Sequence, residues 1–167
     1  FEDADFIVYG ETENDALGQD ALGGDFNGDG IDELVLSSLS NTYSSRGGSL
    51  RFFANLNGHE FLYPDTVIAS NDYYRDIGFD LGGSEDLNDD GHMDIVFSTM
   101  RSSISRGRTM VSYGPFPEAI LEVSDLPSTV IYGEINDDDN IMFRKNCIEM
   151  NGDVTGDGKA DILIGDP

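Results

Sequence analysis

The sequence predicts an all-β repeat architecture, on three observations. First, the segments Asp25-Phe-Asn-Gly-Asp-Gly-Ile-Asp-Glu33, Asp86-Leu-Asn-Asp-Asp-Gly-His-Met-Asp94 and Asp153-Val-Thr-Gly-Asp-Gly-Lys-Ala-Asp161 align in register, starting 61 and 67 residues apart. Second, each runs straight into an apolar stretch: Leu34-Val-Leu36, Ile95-Val-Phe97 and Ile162-Leu-Ile164. Third, no window of ten or more residues carries a helical period, while clusters of Gly, Asn, Asp and Ser separate the apolar runs.

Along the chain, the first strands expected are the β-branched and aromatic runs Phe6-Ile-Val-Tyr-Gly10, Thr66-Val-Ile-Ala69 and Thr129-Val-Ile-Tyr-Gly133. Next come Leu17-Gly18 and Ile77-Gly78, followed by Leu22-Gly23-Gly24 and Leu81-Gly82-Gly83, leading into the aspartate-rich loops. The strand after each loop is apolar at consecutive positions instead of alternating, a pattern that needs cover on both faces. Last in each unit come Ser45-Arg46-Gly47 with Ser49-Leu-Arg-Phe-Phe53, and Ser105-Arg106-Gly107 with Thr109-Met-Val-Ser-Tyr113. Four short antiparallel strands per unit, covered on both faces, make a blade of a β-propeller. A sandwich of irregular hairpins is the competing fold, but it gives no reason for loop chemistry repeated in register. The expected units are residues 1–62, 63–124 and an incomplete 125–167, about two and three-quarter blades. Closed propellers have about 4–8 blades, so the expectation is part of a longer protein or one protomer of an assembly. Phe1-Glu2-Asp3 reads as an interior start.

The loops carry the chemistry. Calcium takes six to eight oxygen ligands from carboxylates, amides, carbonyls and water, and a short loop offers them at positions 1, 3, 5, 7 and 9. The expected ligands in the first loop are Asp25, Asn27, Asp29, the Ile31 carbonyl and Glu33. In the second they are Asp86, Asn88, Asp90, the His92 carbonyl and Asp94. In the third they are Asp153, Thr155, Asp157, the Lys159 carbonyl and Asp161, with the neutral Thr155 making this the weakest site. Three Ca²⁺ ions are therefore expected. An EF-hand is excluded: it needs a glutamate at position 12, and Leu36, Phe97 and Ile164 stand there. Magnesium fits less well, preferring a tight octahedron with several waters.

Composition agrees. Nine basic against 33 acidic residues leave a net charge of −24, while 38% apolar content with ten Phe and seven Tyr supports a packed core. Such a chain repels nucleic acid and anionic lipid surfaces, and three calcium ions would offset six of those charges. No run approaches the length needed to span a bilayer. The single cysteine, Cys147, makes no disulfide framework and reads as a buried apolar residue. No Asn-x-Ser/Thr acceptor is present.

At the loops the sequence resembles the FG-GAP repeat, the propeller blade of integrin α-subunits and many secreted microbial proteins. Leu17-Gly18 and Ile77-Gly78 stand where that family has Phe-Gly, and Ile164-Gly165-Asp166-Pro167 matches its strand-to-Gly-x-Pro ending. The chain departs from the pattern at Ser37-Ser38, at Ser98-Thr99 and at Phe143-Arg144-Lys145. The resemblance implies a seven-bladed propeller in the intact protein, calcium loops on one face and partner-binding loops on the other. The expected function is an extracellular or cell-surface module for adhesion, protein–protein interaction or assembly, with a protein or glycan partner or self-assembly through open blade edges. The alternative is the propeller portion of a secreted carbohydrate-active or other hydrolytic enzyme. Neither histidine supports catalysis: His92 fills a calcium-loop position and His59 sits in the polar turn Asn57-Gly58-His59-Glu60. Arg46 and Arg106 read first as turn residues entering the fourth strand and pairing a nearby carboxylate, and second as basic spots with a claim to function; Tyr73 and Tyr74 are expected between blades or on a binding surface.

Overall fold

A computed structural model describes residues 6–39, 47–54, 60–61, 63–70, 74–101, 107–132 and 148–165. Ser45, Arg46, His59, Tyr73, Ser105, Arg106, Gly133, Phe143, Arg144, Lys145, Cys147, Asp166 and Pro167, singled out above, lie outside the described residues.

The described chain is all-β. Strands β1 (Ile7–Val8), β2 (Leu17–Gly24), β3 (Glu33–Ser38), β4 (Ser49–Phe53), β5 (Glu60–Phe61) and β6 (Thr66–Ala69) come first. They are followed by β7 (Tyr74–Arg75), β8 (Leu81–Glu85), β9 (Asp94–Arg101), β10 (Gly107–Ser112) and β11 (Ile120–Glu122). A 3-10 turn at Val123–Asp125 precedes β12 (Ser128–Tyr132), β13 (Ile148–Gly152) and β14 (Asp161–Ile164). Among the described residues no helix is long and apolar enough to cross a membrane.

Hydrogen bonding sorts these strands into two five-stranded sheets and two two-stranded ones. The first sheet runs β2-β3-β4-β6-β11, antiparallel except for the parallel β6–β11 pair. In the second, β9 pairs with β7, β8 and β10, and β10 pairs with β12, all antiparallel. The third is β13-β14, and β1 pairs parallel with β5. Sheet boundaries therefore fall later than the repeat boundaries at 62/63 and 124/125. The run Thr66–Ala69, expected to open the second unit, joins the first sheet between β4 and β11, and Ser128–Tyr132 joins the second beside β10. An apolar β-branched run says that a strand forms, and says nothing about which neighbour receives it.

The three sheets stack face to face. Val35, Leu50, Phe52 and Ile68 of the first pack against Leu81, Ile95, Phe97 and Met110 of the second and against Ile77 between β7 and β8. On its other face the second sheet buries Val96 and Val111 against Ile148 and Met150 of the third. Ile95, Val96 and Phe97 are consecutive and wholly buried, so β9 is covered on both faces as its unbroken apolar run requires. An aromatic cluster closes the aspartate-loop end of the first interface. Phe26, from the first loop, meets Phe52 edge-on at 5.4 Å between ring centres and Phe116 at 6.2 Å. The Phe116 amide donates to the Phe26 carbonyl at 3.2 Å, tying the segment after β10 back to the first loop.

Candidate metal sites

The three aspartate-rich loops share one hydrogen-bond plan. The carboxylate at position 1 accepts from the amide at position 6: Gly30 to Asp25 (2.9 Å), Gly91 to Asp86 (2.8 Å) and Gly158 to Asp153 (2.8 Å). It also accepts from position 5: Asp29 to Asp25 (3.1 Å), Asp90 to Asp86 (3.1 Å) and Asp157 to Asp153 (3.0 Å). The position 5 carboxylate accepts in turn from position 7, where the amides of Ile31, His92 and Lys159 reach Asp29, Asp90 and Asp157 at 2.8, 2.9 and 2.9 Å. The acid at position 9 reaches back to the amide at position 2: Phe26 to Glu33 (2.9 Å), Leu87 to Asp94 (2.9 Å) and Val154 to Asp161 (2.8 Å). These bonds wind each loop around its side-chain oxygens. Position 6 takes φ of 88°, 89° and 88° in the three loops, a left-handed turn that glycine enters without a Cβ clash.

Glu33, Asp29 and Asp25 bring carboxylate oxygens within 4.8 Å of one another. That is no wider than the roughly 4.6–5.2 Å between opposed ligands across a calcium ion with bonds of about 2.3–2.6 Å. The Asn27 amide nitrogen reaches Glu33 at 2.9 Å and Asp29 at 3.4 Å, so the third-position side chain lies among these acids. Among the described residues this is the one group of three acids gathered so tightly. Glu33 has one more methylene than its counterparts and reaches further into its loop. Asp94 is also held by the Gly114 amide at 3.1 Å, and Asp161 accepts from the Thr155 amide at 2.9 Å.

Electrostatics marks the same residues. Burial, with the charges of Asp29 and Asp25, pushes the Glu33 carboxyl above its ordinary value against the pull of two amide hydrogen bonds. Burial, with Asp90 and Asp86, does the same to Asp94. Asp153 is exposed and goes the other way, lowered first by the Gly158 amide.

The loops lie in a row. Position 7 of each loop meets position 4 of the one before: a Cβ built on Gly28 would stand 3.0 Å from His92 Nδ1, and Lys159 forms an exposed ion pair with Asp89. That pair raises the Lys159 pKa. Gly28 is thus favoured both by its φ of 79° and by the neighbouring imidazole.

Two further repeated features escaped the sequence reading. Asp20 accepts the Leu81 amide at 2.9 Å across the first interface, and the buried Asp80 accepts the Ile148 amide at 2.9 Å across the second. In both units the aspartate's own amide donates to a serine hydroxyl on the adjoining strand, Ser37 or Ser98, at 2.9 Å. Those serines are where the chain departs from the Gly-x-Pro ending. Aligning Leu17-Gly-Gln-Asp20 with Ile77-Gly-Phe-Asp80 was the available signal.

At the strand ends away from the loops, buried arginines appear. Arg51 is bidentate to Asp15 at 2.6 Å for each bond. Burial opposes the charge on Asp15, but Arg51 and the Glu11 amide outweigh it and hold the carboxyl below its usual value. The Arg108 guanidinium lies 5.2 Å from the ring centres of both Tyr74 and Tyr132, which places Tyr74 inside the fold.

No protein-family model, curated protein or solved structure matches the chain.

Proposed function

We propose that this chain is a calcium-binding module of the FG-GAP type, its stacked sheets being consecutive propeller blades, acting outside the cell in adhesion, protein–protein interaction or structural assembly. The observation that carries this reading is the row of three loops with one hydrogen-bond plan and acids at positions 1, 5 and 9. Support for the blades comes from three sheets stacked face to face, joined by the repeated Asp20 and Asp80 contacts.

Bound calcium supplies positive charge that neutralises the carboxylates of each loop. Asp25, Asn27, Asp29 and Glu33 would hold it in the first loop, with Asp86, Asn88, Asp90 and Asp94, and Asp153, Thr155, Asp157 and Asp161, as counterparts. The Ile31, His92 and Lys159 carbonyls would complete each set. Without the cation, Glu33 and Asp94 hold buried charge beside like charges. Calcium is therefore a brace on the scaffold.

Thermal melts in calcium and in EGTA, with calorimetric titration, test this. At calcium about one hundred times Kd each site adds about 2.7 kcal/mol, or roughly 5–10 °C in a chain of this size. Asp90→Ala is expected to remove one site from the stoichiometry, and Thr155→Ala to weaken one site without removing it. Equal melting points with and without calcium would refute the reading.

A further inference from the structure

Twice in this chain, a short segment crosses back to pair parallel with an earlier strand: β5 with the isolated β1, and β11 with β6 at the edge of the first sheet. After β4, β5 pairs parallel with β1 at Ile7↔Glu60 and Val8↔Phe61. After β10, β11 pairs parallel with β6 at Ile120↔Val67, Leu121↔Ile68 and Glu122↔Ala69. The receiving strands are the first two of the three aligned runs Phe6–Gly10, Thr66–Ala69 and Thr129–Gly133.

The third run forms β12. It pairs antiparallel with β10 as β6 does with β4, yet among the described residues no strand pairs with its outer edge. On β6 the outward amide is that of Val67, which donates to the Ala119 carbonyl at 2.9 Å. On β12, the Tyr113 amide donates to the Pro127 carbonyl at 3.0 Å, which turns the odd-numbered backbone groups inward and leaves the Val130 amide on the outer edge. Side chains record the same difference. Ile68 and Ala69 are 0% and 3% exposed, whereas the aligned Ile131 and Tyr132 are 36% and 56% exposed.

We infer that the outer edge of β12 is a docking edge for a parallel strand, and that its occupant is the corresponding crossing segment of a further unit of this repeat. The chemistry recognised is an extended segment with an apolar residue beside an acid, as in Glu60-Phe61 and Leu121-Glu122. In the register of β11 on β6, that acid comes alongside Tyr132, whose ring lies against the Arg108 guanidinium. This rests on the reading of the stacked sheets as consecutive blades and does not depend on the loops binding calcium.

The probe is a synthetic peptide of residues 116–127 added to the isotope-labelled 167-residue chain. Binding at one equivalent with amide shifts at Val130 and Tyr132 is expected, in calcium and in EGTA alike. Methylating the peptide's Leu121 amide removes a ladder bond and is expected to weaken binding about fivefold or more. Val130→Pro, which removes an outward amide from an edge strand where proline is tolerated, is expected to weaken it similarly while leaving β9 and β10 amides protected. Absence of binding in both media, shifts confined to Val67–Ala69, or self-association of the chain through β12 would each overturn the inference. Loss of the calcium-dependent melting shift alone bears only on the proposed function.

Discussion

Asp80→Ala probes the junction between the second and third sheets. Asp80 is 1% exposed, and its carboxylate accepts the Ile148 amide at 2.9 Å. Alanine leaves the backbone bonds to Ser98 in place, so the change falls on the cross-sheet contact. A hydrogen bond to a charged group contributes about 1.5–3 kcal/mol, and the stranded Ile148 amide costs about 1–3 kcal/mol more. Relief of burying a carboxylate offsets part of this, leaving a net loss of about 2–4 kcal/mol. The half-buried Asp20 makes the same contact to Leu81, so Asp20→Ala is expected to lose about half as much. The assay is urea unfolding with hydrogen exchange at the Ile148 amide, which should lose protection before the amides of β3 and β4. A variant within about 0.5 kcal/mol of the parent, with Ile148 protection unchanged, would refute the latch.

The pH response should reverse with calcium. Glu33 and Asp94 are raised above ordinary values of 4.5 and 3.8, so folding favours their protonated forms. Their stabilising contribution is complete below those values and is lost as pH rises through the higher folded ones. In EGTA, acidifying toward the ordinary carboxylate range should therefore raise the melting point, while in saturating calcium the same change should lower it as protons displace the ion. Asp15 has the opposite sign, its contribution lost as pH falls through a value below 3.8, which limits the gain at still lower pH. Parallel slopes in the two media would contradict this. Asp89 holds φ of 60° where the first and third loops have Gly28 and Gly156, and its partner Lys159 is exposed. Asp89→Gly should leave stability unchanged or raise it by up to about 1 kcal/mol; a larger loss by urea unfolding would give the ion pair more than a surface role.

The loops and the strands after them were legible because their determinants are local: alternating acids, a glycine at position 6 and an apolar run covered on both faces. Membership of the sheets was not, since Thr66–Ala69 would serve either neighbour equally well. The Asp20 and Asp80 latches were hidden for a geometric reason. Asp20 precedes its loop by five residues and Asp80 by six, and irregular register at Leu17/Ala21 and Leu81/Ser84 absorbs the difference. An alignment anchored on the loops slides these residues past each other. The buried Arg51 and Arg108 were likewise unmarked, since an arginine in a strand gives no sign of a partner as distant as Asp15 or Tyr132.

The parallel crossing of β11 onto β6 sets an order of events during synthesis. The first sheet begins at Leu17, yet its last strand is supplied by Ile120–Glu122. A ribosome must release more than a hundred residues, including nearly all of the second unit, before the first sheet has its full complement of strands. Until then the growing chain carries an unfinished edge at Val67, and each unit acts as chaperone to the one made before it.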